Sequence, residues 1–467
     1  MTSDVDRAGY RAKEVIGRTI LIPIAILTAL FSLYCLMFQK YRAYDIDNPW
    51  FLSFSYSQHY GGGMNDQFMK VPFPDGMDGT RIFGRIAAGL QNVVLMRTGW
   101  LPLPAVLIST TFIVGSLALW WLTILKMGHS KRFACISLLL IGFSEPVISA
   151  AEKTRYEFLG FFLFSLASYL AVRKMNVLAL CVVLMSIETQ PVAILCAVFV
   201  VALILNGERP TKALVLTIGS SVLLFLVVYW LLHPNAIHYI LEGLSKKNHN
   251  YILGGTLRAY LVSRPRHLVE AVMGIASCSL WVRFGKTITG RPILGPLTCL
   301  FIGLGLMPHP NVSYMIYLIP PAVVFIVAGF SCVPKYSVLP ACLLVVNLIE
   351  FVYLYHVNQS EGFSNRDIEL VALEIRKSEG LCRLSDEKVK IVGDYSLWYA
   401  HPLNYSGRLD LDWGDLYVCF KAPIHVPGSE VGAWSADSVE RRRKVKVIDR
   451  FLVRGHEVEI LTDRQVF

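Results

Sequence analysis

Long apolar runs alternate with short polar connectors along most of the chain, and that alternation sets the broad architecture. Runs long enough to cross a bilayer, or nearly so, lie at about 19–38, 101–125, 133–151, 156–172, 175–188, 191–205, 213–232, 267–283, 293–307, 313–331 and 337–356. The pattern predicts about eleven helical spans. The connectors carry a pattern of their own. Lys126–Arg132, Arg173–Lys174, Arg209–Lys212, Arg283–Arg291 and Lys335 are basic and alternate with the rest, so all fall on the N-terminal side if every run crosses. Cytoplasmic connectors collect Lys and Arg, which places the N-terminus in the cytoplasm. Arg7, Arg11, Lys13 and Arg18 flank the first run on that same side. This first run is about twenty residues long, beyond the 7–15 of a signal-peptide core, so it reads as a retained span.

Three of the runs, 156–172, 175–188 and 191–205, are short. At 1.5 Å per residue they do not reach across about 30 Å of hydrocarbon. Such segments end in thinned bilayer or at a watered cavity between other helices. A cavity opening outward fits, because the outer ends and connectors carry Glu145, Glu152, Lys153, Arg155, Glu157 and Glu188.

Past His356 the pattern changes. Residues 366–378 read as a surface helix, and Lys388–Asp394, Leu416–Phe420, Val445–Ile448 and His456–Leu461 as strands or strand ends. The expected fold class is therefore mainly α, with a polytopic transmembrane bundle over 1–356 and a small extracytoplasmic α/β domain over 357–467. An odd number of spans sets that domain outside. Two outer loops are also large. Residues 39–100 are polar as far as Asp78 and then amphipathic, with Ile82, Phe83, Ile86, Ala87, Leu90 and Val94 at helical spacing, which predicts an interfacial helix. Residues 233–266 carry Lys246, Lys247, Arg258, Arg264 and Arg266, an outer loop rich in cations.

Composition agrees with a lipid environment: 54% of residues are hydrophobic and 17% charged, with a mean hydropathy of +0.50. The net charge of +10 is accounted for by basic connectors, so no nucleic-acid partner is implied. Among the ten cysteines there is no Cys-x-x-Cys pair and no metal-ligand spacing; Cys382 and Cys419, in the C-terminal region, could pair in an oxidising compartment. Phosphate-loop, zinc-protease and nucleophile-elbow signatures are absent, since Gly61-Gly62-Gly63 is followed by no Lys-Ser/Thr.

The remaining chemistry lies at the outer face. Asp45 and Asp47, one residue apart, directly follow the first run, where a carboxylate near lipid is costly unless paired or hydrated. Carboxylates together with cations on one membrane face suit a particular reaction: a general base deprotonates an acceptor hydroxyl while cations hold a phosphate leaving group. A transporter would instead bury ionisable groups in mid-span and show pseudo-symmetric halves, and neither is seen.

Several motifs carry a family resemblance. The acidic pair Asp45-Ile46-Asp47 follows span one. Thr154-Arg155-Tyr156-Glu157 leads into a short span. His309-Pro310-Asn311-Val312-Ser313-Tyr314 leads into Tyr317-Leu318-Ile319-Pro320-Pro321, and Ile391-Val392-Gly393-Asp394-Tyr395 forms a strand and turn in the outer domain. In order and sidedness these resemble the GT-C fold integral-membrane glycosyltransferases, in the branch of protein O-mannosyltransferases and lipid A aminoarabinose transferases. The resemblance implies a bacterial inner-membrane enzyme, with its C-terminal domain periplasmic or extracellular. Such an enzyme transfers a sugar from a polyprenyl-phosphate donor to a hydroxyl of a glycan, lipid or protein acceptor, with inversion. It implies Asp47, or else Asp45, as the base. Arg155 and Glu157 would organise the second side of the cavity, for which a plain interfacial salt bridge is the simpler account. Lys246, Lys247, Arg258, Arg264 and His309 would contact the lipid phosphate, although a basic loop that binds headgroups has the same composition. The family often follows its acidic pair with an Arg; here Asn48-Pro49-Trp50 follows, leaving open which carboxylate is the base. A divalent cation, Mg or Mn, is compatible with two acids so close together, and metal dependence stays open. The competing functions are a polysaccharide or O-antigen polymerase or ligase, disfavoured by the acid-rich first loop, and a lipid-linked sugar flippase.

Overall fold

The computed structural model describes residues 4–38, scattered positions between 86 and 97, and residues 102–152, 156–189, 193–205, 212–232, 261–262, 265–284, 312–331, 333–361, 364–381, 391–393, 405–408, 415–420, 445–453 and 456–462. The chain divides into two compact units: Met1–Cys35, Ser109–Glu152 and Tyr156–Val352 form one, and Leu36–Ile108, Lys153–Arg155 and Tyr353–Phe467 form the other.

The helices follow the apolar runs. They are α1 (Asp4–Met37), α2 (Pro102–Lys126), α3 (Lys131–Gly142), α4 (Glu145–Glu152), α5 (Glu157–Val172), α6 (Asn176–Thr189), α7 (Ile194–Leu205), α8 (Lys212–Leu232), α9 (Pro265–Phe284), α10 (Ile319–Ser331) and α11 (Leu339–Glu361). A 3-10 turn, Val312–Tyr317, precedes α10. Among the described residues, Val106–Lys126 and Pro334–Val357 are long and apolar enough to cross a membrane. The pair α3 and α4 adds a third span if its 64° bend is counted as one crossing. The other apolar helices are shorter, and the run 293–307 lies outside the described residues, so eleven spans remains an expectation from sequence.

The first unit is built around α5, which is buried along almost its whole length from Glu157 to Ala171. It packs against α6, α7 and the 3-10 turn. Its serines do not strain the apolar interior, because Ser165 and Ser168 donate to the carbonyls of Phe161 and Phe164 at 2.7 and 2.9 Å. An aromatic cluster joins four elements: the Phe164 ring lies 5.6 Å from Trp120, 5.8 Å from Phe199 and 6.2 Å from Tyr317. Such tilted and edge-on rings gain more than their buried area alone provides. The turn from α5 to α6 is tight, with Lys174 in the left-handed region at φ 63°. Helix α8 differs in kind: Leu216, Leu223, Leu224 and Leu231 are all exposed, as on a helix that faces lipid.

Polar side chains tie helices together by reaching backbone carbonyls. The Tyr34 hydroxyl donates to Gly142 O, Ser186 Oγ to Gly160 O at 2.8 Å, and Ser277 Oγ to Phe325 O at 3.0 Å. Hydrogen bonds and small residues are the natural fasteners where lipid removes the hydrophobic drive between helices.

In the second unit, the helical positions between 86 and 97 bury Ala87 and Gln91 while Ile86, Leu90 and Val93 form an exposed ridge at i, i+4 and i+7. Helix α12 (Asn365–Leu381) opens on a reciprocal cap: the Ser364 backbone N–H donates to Asp367 Oδ2 at 2.7 Å, and the Asp367 N–H reaches back to Ser364 Oγ at 3.4 Å. It buries Ile368, Val371 and Ile375, and packs against the sheet. That sheet has the order β2-β1-β3-β5-β4, from strands β1 (Ile391–Gly393), β2 (Tyr405–Arg408), β3 (Leu416–Phe420), β4 (Lys446–Val453) and β5 (His456–Thr462). Strand β1 pairs in parallel with β2 and β3, whereas β5 pairs antiparallel with β3 and β4. Tyr417, Cys419, Val445 and Leu461 form a core on it, and Cys382, the pairing partner expected for Cys419, lies outside the described residues.

Candidate functional site

The first unit buries two acids at adjoining helix ends. Glu157 is the first residue of α5, where a carboxylate is favoured by the helix dipole, yet it is buried at 3% exposure. Glu188 stands in the last turn of α6 and is also buried, beside buried Thr189. The Ser186–Gly160 bond fixes their relative level. Gly160 lies three residues inside α5 from Glu157, and Ser186 two residues short of Glu188 on the antiparallel neighbour. At 1.5 Å per residue, both carboxylates therefore reach about the same height on adjacent helices.

A third acid enters through a break. The run 133–151 does not form one helix: α3 stops at Gly142, and α4 restarts at Glu145 in a direction 64° away. Ser144-Glu145-Pro146 explains the break locally. Pro146 has no N–H to continue the ladder, and its ring restricts the residue before it. Ser144 Oγ turns back to donate to Ile141 O at 2.7 Å, while the N–H groups of Val147 and Ile148 donate to Ser144 O at 3.1 and 3.0 Å. Glu145 is thus delivered to the start of a new helix, whose dipole favours its charge. Its Oε2 lies 3.0 Å from His267 Nε2, in the first turn of α9. The His267 side chain is fully buried, that of Glu145 20% exposed. Helix α4 also packs against the 3-10 turn Val312–Tyr317, and Thr110 Oγ1 of α2 donates to Ala151 O at its far end.

Glu157 and Glu188 thus stand level at one end of the α5–α6 pair, and Glu145 meets the start of α9. Of the residues expected from sequence, Glu157 is placed by the structure at that end. Asp45, Asp47, Arg155, Lys246, Lys247, Arg258, Arg264 and His309 lie outside the described residues. Sequence reasoning assigned no role to His267. It opens an apolar run, and the only signal for it would have been an ionisable ring at the wet end of a span. Among the described residues no three His, Cys, Asp or Glu side chains converge as a metal site; Glu145 and His267 supply two such donors.

No family model matches the sequence, and no curated protein matches it either. Solved structures do resemble the fold. ArnT from Cupriavidus metallidurans, crystallised bound to undecaprenyl phosphate, superposes with a TM-score of 0.56 at 10% identity, over 94% of this chain and 97% of that one. The Archaeoglobus fulgidus oligosaccharyltransferase, in complex with Zn and sulfate, gives a TM-score of 0.46 at 11% identity, over 82% of this chain and 62% of that one. The same oligosaccharyltransferase tethered to an acceptor peptide containing an NVT sequon gives 0.47 at 12% identity, over 83% and 63%. The likeness to ArnT runs nearly end to end in both chains, and the fold shown by it is the GT-C fold of integral-membrane glycosyltransferases.

Proposed function

We propose that the chain is a multi-pass glycosyltransferase of the bacterial inner membrane. It moves a sugar from a polyprenyl-phosphate donor to an acceptor hydroxyl on the extracytoplasmic face, with inversion. The observation that carries this reading is the end-to-end likeness to ArnT, a protein crystallised with undecaprenyl phosphate. The buried acids at the outer end of the bundle support it independently.

In this mechanism Asp47 or Asp45 takes the proton of the acceptor hydroxyl as the new bond forms at the anomeric carbon. Attack comes from the face opposite the phosphate, so configuration inverts. Lys246, Lys247, Arg258, Arg264 and His309 hold the phosphate and stabilise the charge that grows on it as the glycosidic bond breaks. Arg155 and Glu157 organise the second wall of the chamber. Asp45 and Asp47 are carboxylates of the kind that ligate Mg or Mn, and a bound cation would supply charge neutralisation at the donor phosphate.

The test uses the full chain in nanodiscs, supplied with a panel of undecaprenyl-phosphate monoglycosides and with lipid, glycan and peptide acceptors. Released undecaprenyl phosphate together with a glycosylated acceptor is the expected result. Movement of the intact donor between leaflets, with no release, would replace this reading with that of a flippase.

A further inference from the structure

The end of α5 opposite Glu157 carries cations from two helix turns. Rings along α2 and α5 set the level: Phe112 packs on Phe158 at 5.5 Å and Trp120 on Phe164 at 5.6 Å. Residue numbers rise together through these contacts, so the two helices run in the same direction and finish at the same end of the bundle. Lys126 lies six residues past Trp120, and Arg173 nine past Phe164. At 1.5 Å per residue these are about 9 and about 14 Å, so the two turns that follow stand within about 5 Å of one level.

Both turns close in the same way. After α2, the Gly128 N–H donates to Leu125 O at 3.0 Å and the His129 N–H to Ile124 O at 3.3 Å. After α5, the Lys174 N–H donates to Ala171 O and the Met175 N–H to Leu170 O, both at 3.0 Å. This pair of bonds needs a left-handed residue at its centre, a conformation that glycine takes without steric cost. The first turn has Gly128 there, at φ 89°. The second has Lys174, at φ 63°, the one non-glycine residue with a positive φ among the described residues. A side chain is thus carried where the backbone would fold more easily without one. Membrane orientation requires only a count of cations, which any position in a connector supplies. It gives no reason for a lysine at the left-handed centre of a turn.

No carboxylate answers these charges. Segments 126–132 and 173–176 hold Lys126, Lys131, Arg132, Arg173 and Lys174, and no Asp or Glu. Lys126, Arg132, Arg173 and Lys174 are exposed and make no ion pair among the described residues. Arg132 also stands in the first turn of α3, where the helix dipole opposes a cation. Beside Lys174, the side chains of Met175, Val177 and Leu178 are exposed as the apolar helix α6 begins. Apolar side chains at the mouth of a span meet acyl chains, and cations at the same level meet the phosphates above them.

We propose that Lys126, Arg132, Arg173 and Lys174 form a binding surface for anionic glycerophospholipid headgroups. It lies about 24 Å along α5 from Glu157, apart from the sugar-transfer end.

Native mass spectrometry of the full chain tests it, with titration in detergent by phosphatidylglycerol or by phosphatidylcholine of the same acyl chains. A cation near an anionic lipid surface is worth about fivefold in affinity. Wild type is expected to prefer phosphatidylglycerol by about tenfold or more, and Lys174→Gly to lose about fivefold of that preference. Replacing Lys126, Arg132 and Arg173 together by Gln should leave the two lipids bound nearly alike. Because glycine relaxes the turn, the thermal midpoint of Lys174→Gly in phosphatidylcholine should equal or exceed that of wild type, which separates lost binding from lost fold. Arg376→Gln, at an exposed cation of α12, is the control and should keep the full preference. Equal affinity of wild type for the two lipids overturns the proposal. A loss in Arg376→Gln as large as in Lys174→Gly overturns it too, since charge anywhere on the chain would then attract the lipid. A lowered midpoint in Lys174→Gly would make the lysine part of the fold and overturn its role in binding.

Discussion

Gly329 of α10 lies against Ser277 of α9 so closely that a Cβ added there would stand 1.9 Å from Ser277 Oγ and 2.8 Å from its carbonyl oxygen. The contact also carries a bond, since Ser277 Oγ donates to Phe325 O at 3.0 Å. Only a residue without a Cβ lets the two backbones approach this far, the small-residue crossing used by helices in lipid. Gly329→Ala must therefore push α9 away or displace Ser277 from its bond. Overpacking of this kind costs about 1–3 kcal/mol. Gly219→Ala is the control, because an added Cβ there meets nothing within 4 Å. Thermal unfolding in detergent should show a lowered midpoint for Gly329→Ala and none for Gly219→Ala; equal midpoints would mean the crossing is looser than described.

The aromatic cluster gives a second prediction. The Phe164 ring has Trp120, Phe199 and Tyr317 within 6.2 Å, and its side chain is fully buried. Phe164→Ala opens a cavity that three helices and the 3-10 turn share, and large-to-small changes of this type cost about 3–5 kcal/mol. Phe164→Leu, closer in volume, should cost less than half as much. Chemical unfolding of both variants against wild type measures the difference. Similar values would show that the cluster collapses around whatever residue is left.

How much of this could be read from the chain depended on the range of the interactions involved. The apolar runs located α2, α5, α6, α7 and α8 closely, because lipid and protein interior impose the same period on every turn of a span, whereas α1 starts at Asp4, well before its run at 19–38. The run 133–151 looked continuous, since hydropathy is insensitive to direction; the bend falls at Ser144-Glu145-Pro146, where the proline cannot continue the ladder. Strand β2, residues Tyr-Ser-Gly-Arg, was not foreseen, because its polar sequence is held by pairing with β1 rather than by its own propensity. The Glu145–His267 contact joins residues 122 positions apart (267 − 145), and nothing in local pattern brings such a pair together. The acidic level of Glu157 and Glu188 was legible only as two acids on outer connectors; the Ser186–Gly160 bond is what aligns them.

The basic connector between α2 and α3 carries a pH dependence. His129 stacks on Phe133 with ring centroids 4.1 Å apart, and burial lowers its pKa below the ordinary histidine value. The folded chain therefore prefers the neutral ring. As pH falls through the ordinary value near 6.5, the unfolded chain takes up a proton before the folded chain does, and stability falls with it. Above that value the contribution is complete and flat. Unfolding midpoints between pH 5 and 8 should show a decline on the acid side that is reduced in His129→Phe. An unchanged acid slope in that variant would place the titrating group elsewhere.

The assignment of the base stands or falls on the first outer loop. If one of Asp45 and Asp47 removes the acceptor proton, replacing it with Asn keeps shape and hydrogen bonding while removing the basic oxygen. Loss of a positioned general base typically costs about 10²–10⁴ in rate. Transfer assays on Asp45→Asn and Asp47→Asn should find that loss in kcat for one variant, Asp47→Asn by preference, with a smaller change in the other. Undecaprenyl-phosphate affinity should survive in both, since neither carboxylate holds the leaving group directly. Full activity in both single variants would remove the base from this loop. The buried acids Glu157 and Glu188, level with each other at the same end of the bundle, would then be the next carboxylates to replace.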